Sequence, residues 1–127
     1  MAEPEPVPSA DPSRLLAKDY WLVLSTPNPG TDADAIKAHV QSHLDWTLAL
    51  ERQGVVFASG PLLDGPGVGP GSGITVLRAA DEHGAQLIAA GDPFVLAGLR
   101  TFEVYRWRLN EGSVSVRLSL GTGTYWS

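Results

Sequence analysis

A chain of 127 residues with a net charge of -5 and no cysteine is long enough for one hydrophobic core. Its 9 basic residues are scattered among 14 acidic ones, which argues against a nucleic-acid surface. Without cysteine, disulfide bonds, thiolate catalysis and cysteine-held metal centres are excluded. No apolar run approaches the roughly 20 residues of a membrane helix, and the N-terminus lacks a secretory signal, so we expect a cytoplasmic protein that contacts no membrane.

The predicted elements follow a leader, residues 1–17, whose proline and acidic residues predict disorder. In chain order they are a strand at 20–25, a helix at 31–53, strands at 55–60 and 74–78, a helix at 81–90, one or two helical turns at 93–99, and strands at 101–109 and 114–120. The helix at 31–53 has Thr31 or Asp32 as its N-cap, and Gly54 ends it.

This order of elements, βαββαβ, predicts a ferredoxin-like α+β domain at residues 18–110, with an antiparallel sheet and both helices on one face. Residues 111–127 form an extension that contains the extra C-terminal strand. We expect the terminal Tyr125 and Trp126 either to complete an interface, to cover a pocket or to belong to a frayed end.

The strands carry apolar residues on both faces. In the first strand, Trp21 and Val23 oppose Tyr20, Leu22 and Leu24. Two helices cover only one face of a sheet, and the other would expose a large apolar patch to water. The pattern therefore predicts a homodimer in which two sheets pack against each other.

His43 is the most informative single residue, because it falls inside the apolar arc of the first helix. An inward imidazole is either a satisfied core residue or the working group of a pocket. Asp45 points the other way and cannot orient it. His39 and His43 have the spacing of a two-histidine metal site, but the glutamate of a zincin helix is missing, so we expect no metal.

Two further side chains are candidates for the same pocket. Asp92 precedes Pro93 at a helix start, where it is an ordinary N-cap or, alternatively, holds one ring nitrogen of His43. Ser59 ends the second strand, where its hydroxyl either makes a strand-end hydrogen bond or faces the pocket. The glycine-rich run at 65–73 fits no phosphate-binding template and is read as a flexible connector or pocket flap.

Three segments together resemble the YCII-related family. They are His-Leu-Asp-Trp at 43–46, Phe-Ala-Ser-Gly-Pro-Leu at 57–62 and Gly-Asp-Pro-Phe-Val-Leu-Ala-Gly-Leu at 91–99. The similarity covers residues 20–110. The resemblance implies a ferredoxin-like fold, usually dimeric, related to the dimeric α+β barrels that include muconolactone isomerase.

The resemblance also implies a small cofactor-free enzyme with a His–Asp active site, and one branch of the family removes chloride from chlorinated hydroxyquinols. Carried over by motif, the histidine is His43, the aspartate is Asp92 and the nearby hydroxyl is Ser59. The leading hypothesis is acid–base catalysis of an isomerisation, a dehydration or another elimination on a small cyclic or aromatic metabolite. The predicted pocket walls are Trp46, Phe57 and Phe94. The alternative is a non-catalytic domain that binds a small ligand or a partner protein.

Overall fold

The computed structural model of the protein describes residue 9 and residues 11–67 and 71–126. Its strands are β1 (Lys18–Pro27), β2 (Val56–Pro61), β3 (Gly73–Leu77), β4 (Arg100–Leu109), β5 (Arg117–Ser119) and β6 (Thr124–Trp126). Its helices are α1 (Ala33–Arg52), α2 (Glu82–Ala90) and the short α3 (Pro93–Leu96), and a 3₁₀ helix spans Pro12–Arg14.

Four strands form an antiparallel sheet in the order β2-β3-β1-β4, with the helices on one face. Trp21 of β1 lies opposite Leu77 of β3, and the pairing continues to Ser25 opposite Gly73. This order and the βαββαβ succession confirm the predicted ferredoxin-like α+β class. A β-bulge between Val56 and Ala58 of β2 interrupts the pairing of β2 with β3.

The predicted extra strand is present but shorter than predicted, since β5 covers only three residues. It pairs with β6, which sequence reasoning missed, in a separate two-stranded sheet. The missed signal is a Gly-Thr-Gly turn at 121–123 followed by Thr124 and two aromatic residues, a β-prone run. The side chains of Tyr125 and Trp126 lie outside the described part of the structure.

An aspartate begins each of the three α-helices. The side chain of Asp32 accepts a hydrogen bond from the backbone of Asp34, and Asp81 accepts one from Gly84. Asp92 accepts one from Phe94 at the start of α3. These bonds satisfy backbone donors that a helix start leaves unpaired, so the three starts are fixed locally by the sequence.

The core lies where α2 packs on the sheet. Leu77 is 1% exposed, and Ala85 of α2 is fully buried. Trp21 and Val23 of β1 belong to the same cluster. The small alanines of α2 let its backbone approach the sheet closely.

Helix α1 covers the sheet more loosely than α2 does. None of its residues is buried, and the apolar stripe of Val40, Leu44 and Leu48 is 39–47% exposed. The physical reason is a cavity between this helix and the sheet, described below.

Contacts divide the chain into two compact units, Asp19–Arg108 and the two chain ends. In the second unit, the backbone of Leu16 donates a hydrogen bond to the carbonyl of Asn110. Of the predicted leader, residues 1–8 and 10 lie outside the described residues, and Asp11 caps the 3₁₀ helix that follows. Within the described residues, no helix is both long and apolar enough to cross a membrane.

Candidate active site

His43 and Asp92 lie in direct contact although 49 positions separate them in the chain. The Nδ1 atom of His43 is 2.9 Å from Oδ1 of Asp92. The imidazole side chain is 25% exposed, and the Asp92 side chain is 10% exposed. The site therefore combines a nearly buried carboxylate with a ring that water still reaches.

Asp92 makes a second hydrogen bond through the same oxygen. Its Oδ1 also accepts from the backbone N–H of Phe94 at 2.9 Å, as the N-cap of α3. An ionised carboxylate only accepts hydrogen bonds, so Nδ1 of His43 is the donor in this contact. The neutral ring then carries its hydrogen on Nδ1, and its lone pair is on Nε2. That nitrogen makes no hydrogen bond to any residue that the structure describes.

Two predicted wall residues lie against the imidazole. The ring centroid of Phe94 is 4.7 Å from that of His43, and the Trp46 ring is 6.0 Å away. A β-carbon at Gly91 would lie at ordinary contact distance, 3.5 Å, from the indole Nε1 of Trp46, and more tightly, at 3.3 Å, against the carbonyl oxygen of Ile88.

Ser59 and Phe57 of β2 also line this site, without contacting His43 through a hydrogen bond. The hydroxyl of Ser59 is 2.8 Å from that of Thr75 on the paired strand, and both line the cavity. Phe57 lies at the β2 bulge, and its ring packs 4.9 Å from that of Tyr20. Tyr20 also contacts Trp107, and both alternate with core-facing residues of their strands, so the Phe57 ring lies on the face that the helices leave uncovered and does not enclose the site as Phe94 does.

All six predicted site residues border one cavity of about 440 Å³ between α1 and the sheet. Its floor includes Val23 and Leu77 of the core, and Leu44 and Leu48 of α1 contribute its exposed apolar side. A volume of this order suits a small organic molecule. The cavity explains why α1 buries none of its side chains.

Sequence reasoning missed Arg100, which lines the same cavity. Its Nε donates to the hydroxyl of Ser25 at 2.8 Å, and its guanidinium carbon lies 5.7 Å from the Phe94 ring centroid. Burial lowers the pKa of Arg100 from its usual value, and the negative charge of Asp92 acts in the opposite direction. The signal was available, because Arg100 shares the two-residue period of the core-facing Phe102 and Val104.

The profile of the YCII-related domain matches residues 20–108. The chain belongs to the YCII-related family. The matched range contains both members of the His43–Asp92 pair and the strands that surround the cavity, so the resemblance stated above is confirmed. The comparison with curated proteins gives no match.

A solved structure has a similar fold to this YCII-related chain. It is 5-chloro-2-hydroxyhydroquinone dehydrochlorinase from Burkholderia phenoliruptrix, in complex with 2,5-dihydroxybenzoquinone. The TM-score is 0.57 at 22% sequence identity, and the match covers 69% of this chain and 92% of that one. The likeness supports the ferredoxin-like architecture of the YCII-related unit.

The remaining sequence candidates in this YCII-related chain lie away from the pair. His39 Nδ1 donates to the carbonyl of Ala35 at 2.8 Å on its own helix, and Asp45 accepts from Gln41. Among the residues described, no group of three or more histidine, aspartate or glutamate side chains is placed to hold a metal ion. Of the glycine-rich run, residues 68–70 lie outside the description, and residues 71–73 line the cavity.

Proposed function

We propose that this YCII-related protein is a small acid–base enzyme in which His43 moves a proton on a small cyclic or aromatic substrate. The observation that carries the proposal is the 2.9 Å contact of His43 with Asp92 at the wall of a cavity of about 440 Å³. A buried carboxylate that orients an imidazole leaves the other ring nitrogen available as a base.

The proposed reaction begins at Nε2 of His43. This atom removes a proton either from an acidic C–H of the substrate, whose electron pair moves onto a conjugated oxygen to give an enolate, or from a hydroxyl group to give a phenolate. The imidazolium that forms is stabilised by the Asp92 carboxylate at 2.9 Å. The Ser59 hydroxyl, held beside Thr75, donates a hydrogen bond to the developing oxyanion.

The second half of the reaction returns the proton or expels a leaving group. In an isomerisation, Nε2–H of His43 protonates a different carbon of the enolate. In an elimination, the electron pair of the enolate expels hydroxide or chloride, and the imidazolium proton neutralises the departing hydroxide or passes to water. The isomerisation moves only protons, and the elimination also releases one leaving group. The proposed chemistry therefore needs no redox cofactor and no metal.

The walls of the cavity support a ring-shaped substrate. Phe94 and Trp46 present aromatic faces beside His43, and such surfaces favour flat apolar rings. The solved relative in fold holds 2,5-dihydroxybenzoquinone, a small oxygenated ring. By analogy, hydroxylated and quinonoid rings are the first compounds to test.

We further propose that the enzyme works as a homodimer. Tyr105 and Trp107 of β4 alternate with the core-facing Phe102 and Val104, and they are 48% and 39% exposed on the face that the helices leave uncovered. A second copy would remove these rings from water. Sedimentation equilibrium should give twice the monomer mass, and Trp107→Glu should shift the protein toward the monomer.

A proton-exchange screen tests the proposed chemistry without knowledge of the natural substrate. The protein is mixed in D₂O with hydroxyquinols, muconolactones and cyclic ketones, including 5-chloro-2-hydroxyhydroquinone, and proton NMR follows hydrogen–deuterium exchange while an electrode follows chloride. At least one compound should react. His43→Gln should lower that rate by about 10²–10⁴-fold, the usual contribution of a general base.

His39→Gln is the matched control, because His39 lies one helical turn earlier and outside the cavity lining. It should retain the full rate. A His43→Gln variant that folds and keeps the rate of the unaltered protein would refute acid–base catalysis by this residue. Binding of a ring compound with no exchange or release in the whole screen would favour the ligand-binding alternative instead.

A further inference from the structure

Arg100 brings a positive charge into the cavity without a paired carboxylate. Within the described part of the chain Arg100 belongs to no ion pair, whereas Arg106 and Arg108 both pair with Asp19. Arg100 is only partly exposed, and burial lowers the pKa of its guanidinium group. A guanidinium group stays protonated at neutral pH, so the cavity contains a cation whose lost hydration no neighbouring anion fully replaces.

The Arg100 side chain is fixed in place by the fold. Its Nε donates to the Ser25 hydroxyl at 2.8 Å, and its Nη2 donates to the carbonyls of Ser25 and Gly71 at 3.0 and 2.7 Å. Nη1 donates to none of the residues that the structure describes. Gly71 has a φ of 80°, a conformation that glycine adopts without strain. Three bonds therefore hold the group while one of its nitrogens keeps both hydrogens available.

Ser72, which follows Gly71, has a second unused hydrogen-bond donor. The residue is 1% exposed and lines the same cavity, next in sequence to the Gly71 carbonyl that Arg100 binds. Within the described chain, its hydroxyl has no hydrogen-bond partner. An unpaired buried hydroxyl costs free energy and calls for a ligand atom or a water to satisfy it.

We infer that Arg100 and Ser72 form an anion-binding end of the cavity, which selects ring substrates that carry a carboxylate or an ionised hydroxyl group. Phe94 connects this end to the base, because its ring lies against both His43 and the Arg100 guanidinium. A ring over Phe94 would place its anionic group at Arg100 and another edge near His43. This inference names the substrate class for the proposed function and rests on it for the role of His43.

Benzoate and benzamide test the inference on the unaltered protein, because they have nearly the same size and differ in charge. Binding is followed by isothermal titration calorimetry and by NMR shifts. Benzoate should bind about tenfold more tightly than benzamide, since a charge-assisted contact replaces a neutral one. Added salt should weaken only benzoate. Equal affinities, or no detectable binding of benzoate at millimolar concentration, would overturn the inference.

Arg100→Met should abolish this preference, and Arg106→Met is the matched control because that arginine pairs with Asp19 outside the cavity. The control should retain the preference. Because Arg100 also ties β1 to the segment at Gly71, a second measurement covers the case of a misfolded variant. In the unaltered protein, benzoate should shift the NMR signals of the Arg100 Nε–H and the Ser72 amide more than benzamide does. Shifts confined to other residues would contradict the site.

The anion site and the acid–base chemistry fail separately. His43→Gln should lose proton exchange and still prefer benzoate to benzamide. If the protein prefers benzoate to benzamide but no tested compound exchanges protons, the anion site is supported and the catalytic proposal is refuted. Proton exchange that treats charged and neutral rings alike leaves catalysis standing and removes the role of Arg100.

Discussion

The two long helices cover the same face of the sheet and use it differently. Helix α2 is in close contact with the sheet, and its Ala85 and Ala89 are 0% and 4% exposed above Leu77. Helix α1 buries none of its residues, and its Leu44 and Leu48 line a cavity instead. Small side chains let one helix close the core, whereas larger ones hold the other away from the strands.

This contrast separates stability from function within one small unit. The closely packed residues lie under α2. The cavity beside α1 is bordered by the base His43, by the aromatic rings of Trp46 and Phe94, and by the charged side chains of Asp92 and Arg100. Asp92 belongs to both sides, since it caps α3 next to α2 and contacts His43 of α1. The candidate site therefore lies where the packing is incomplete, which is where a ligand can enter.

The largest expected effect is on stability, and it compares the same leucine-to-alanine change at a packed position and at a cavity position. Leu77→Ala should reduce the free energy of unfolding by about 2–5 kcal/mol, because it removes the packing contacts of a side chain that is 1% exposed. Leu48→Ala should cost no more than about 1 kcal/mol, because Leu48 is 47% exposed. Urea denaturation measures both. Equal losses would show that α1 packs as tightly as α2, and the contrast would be lost.

A smaller effect is expected on the rate when the charge of Asp92 is removed. Asp92→Asn keeps an acceptor for the Phe94 N–H but no longer stabilises the His43 cation, so the rate found in the screen should fall by about 10²-fold. Thermal unfolding should change little. Asp81→Asn is the matched control, because Asp81 caps α2 away from the cavity and should leave the rate unchanged.

A third variant separates the helix cap from the charge. Asp92→Ala should lose the same activity and, in addition, about 1 kcal/mol of stability, because the Phe94 N–H is left without its acceptor. Asp92→Asn with full activity would mean that the carboxylate acts only as a cap. In that case the contact with His43 has no catalytic role.

The smallest effect concerns a pair of arginines far from the cavity. Hydrogen bonds from Arg108 and Arg106 hold the pKa of Asp19 at about 2, below its usual 3.8. A lowered folded-state pKa stabilises the fold above the unfolded value and loses that contribution as pH falls toward 2. Asp19→Asn should lower the melting temperature slightly at pH 7, with the difference vanishing near pH 2. A difference that persists in acid would contradict the ionic cause.

Much of this architecture followed from local patterns in the sequence. The aspartates before α1, α2 and α3 marked the helix starts, and strand alternation predicted the sheet. For both His43 and Asp92, the sequence left two interpretations open, and a contact between them was one of the two. Local reasoning reached this far because caps and alternation act over a few residues.

The remainder depends on distances between elements, which no local pattern encodes. The apolar stripe at Val40, Leu44 and Leu48 has the same periodicity whether a helix packs closely or borders a cavity. Arg100 was overlooked although its alternation with Phe102 and Val104 placed it on the core-facing side of β4. A charged residue at a core-facing position of a strand indicates a functional role as strongly as the inward imidazole of His43 does.

The most direct test of the account is the protonation pattern of the His43 ring. Nitrogen NMR of the protein labelled at histidine distinguishes a hydrogen on Nδ1 from one on Nε2. We predict that the neutral ring carries its hydrogen on Nδ1, against Asp92, and that the Nε2 signal shifts when 2,5-dihydroxybenzoquinone is added. A hydrogen on Nε2, or an Nε2 signal that no ring compound disturbs, would contradict it.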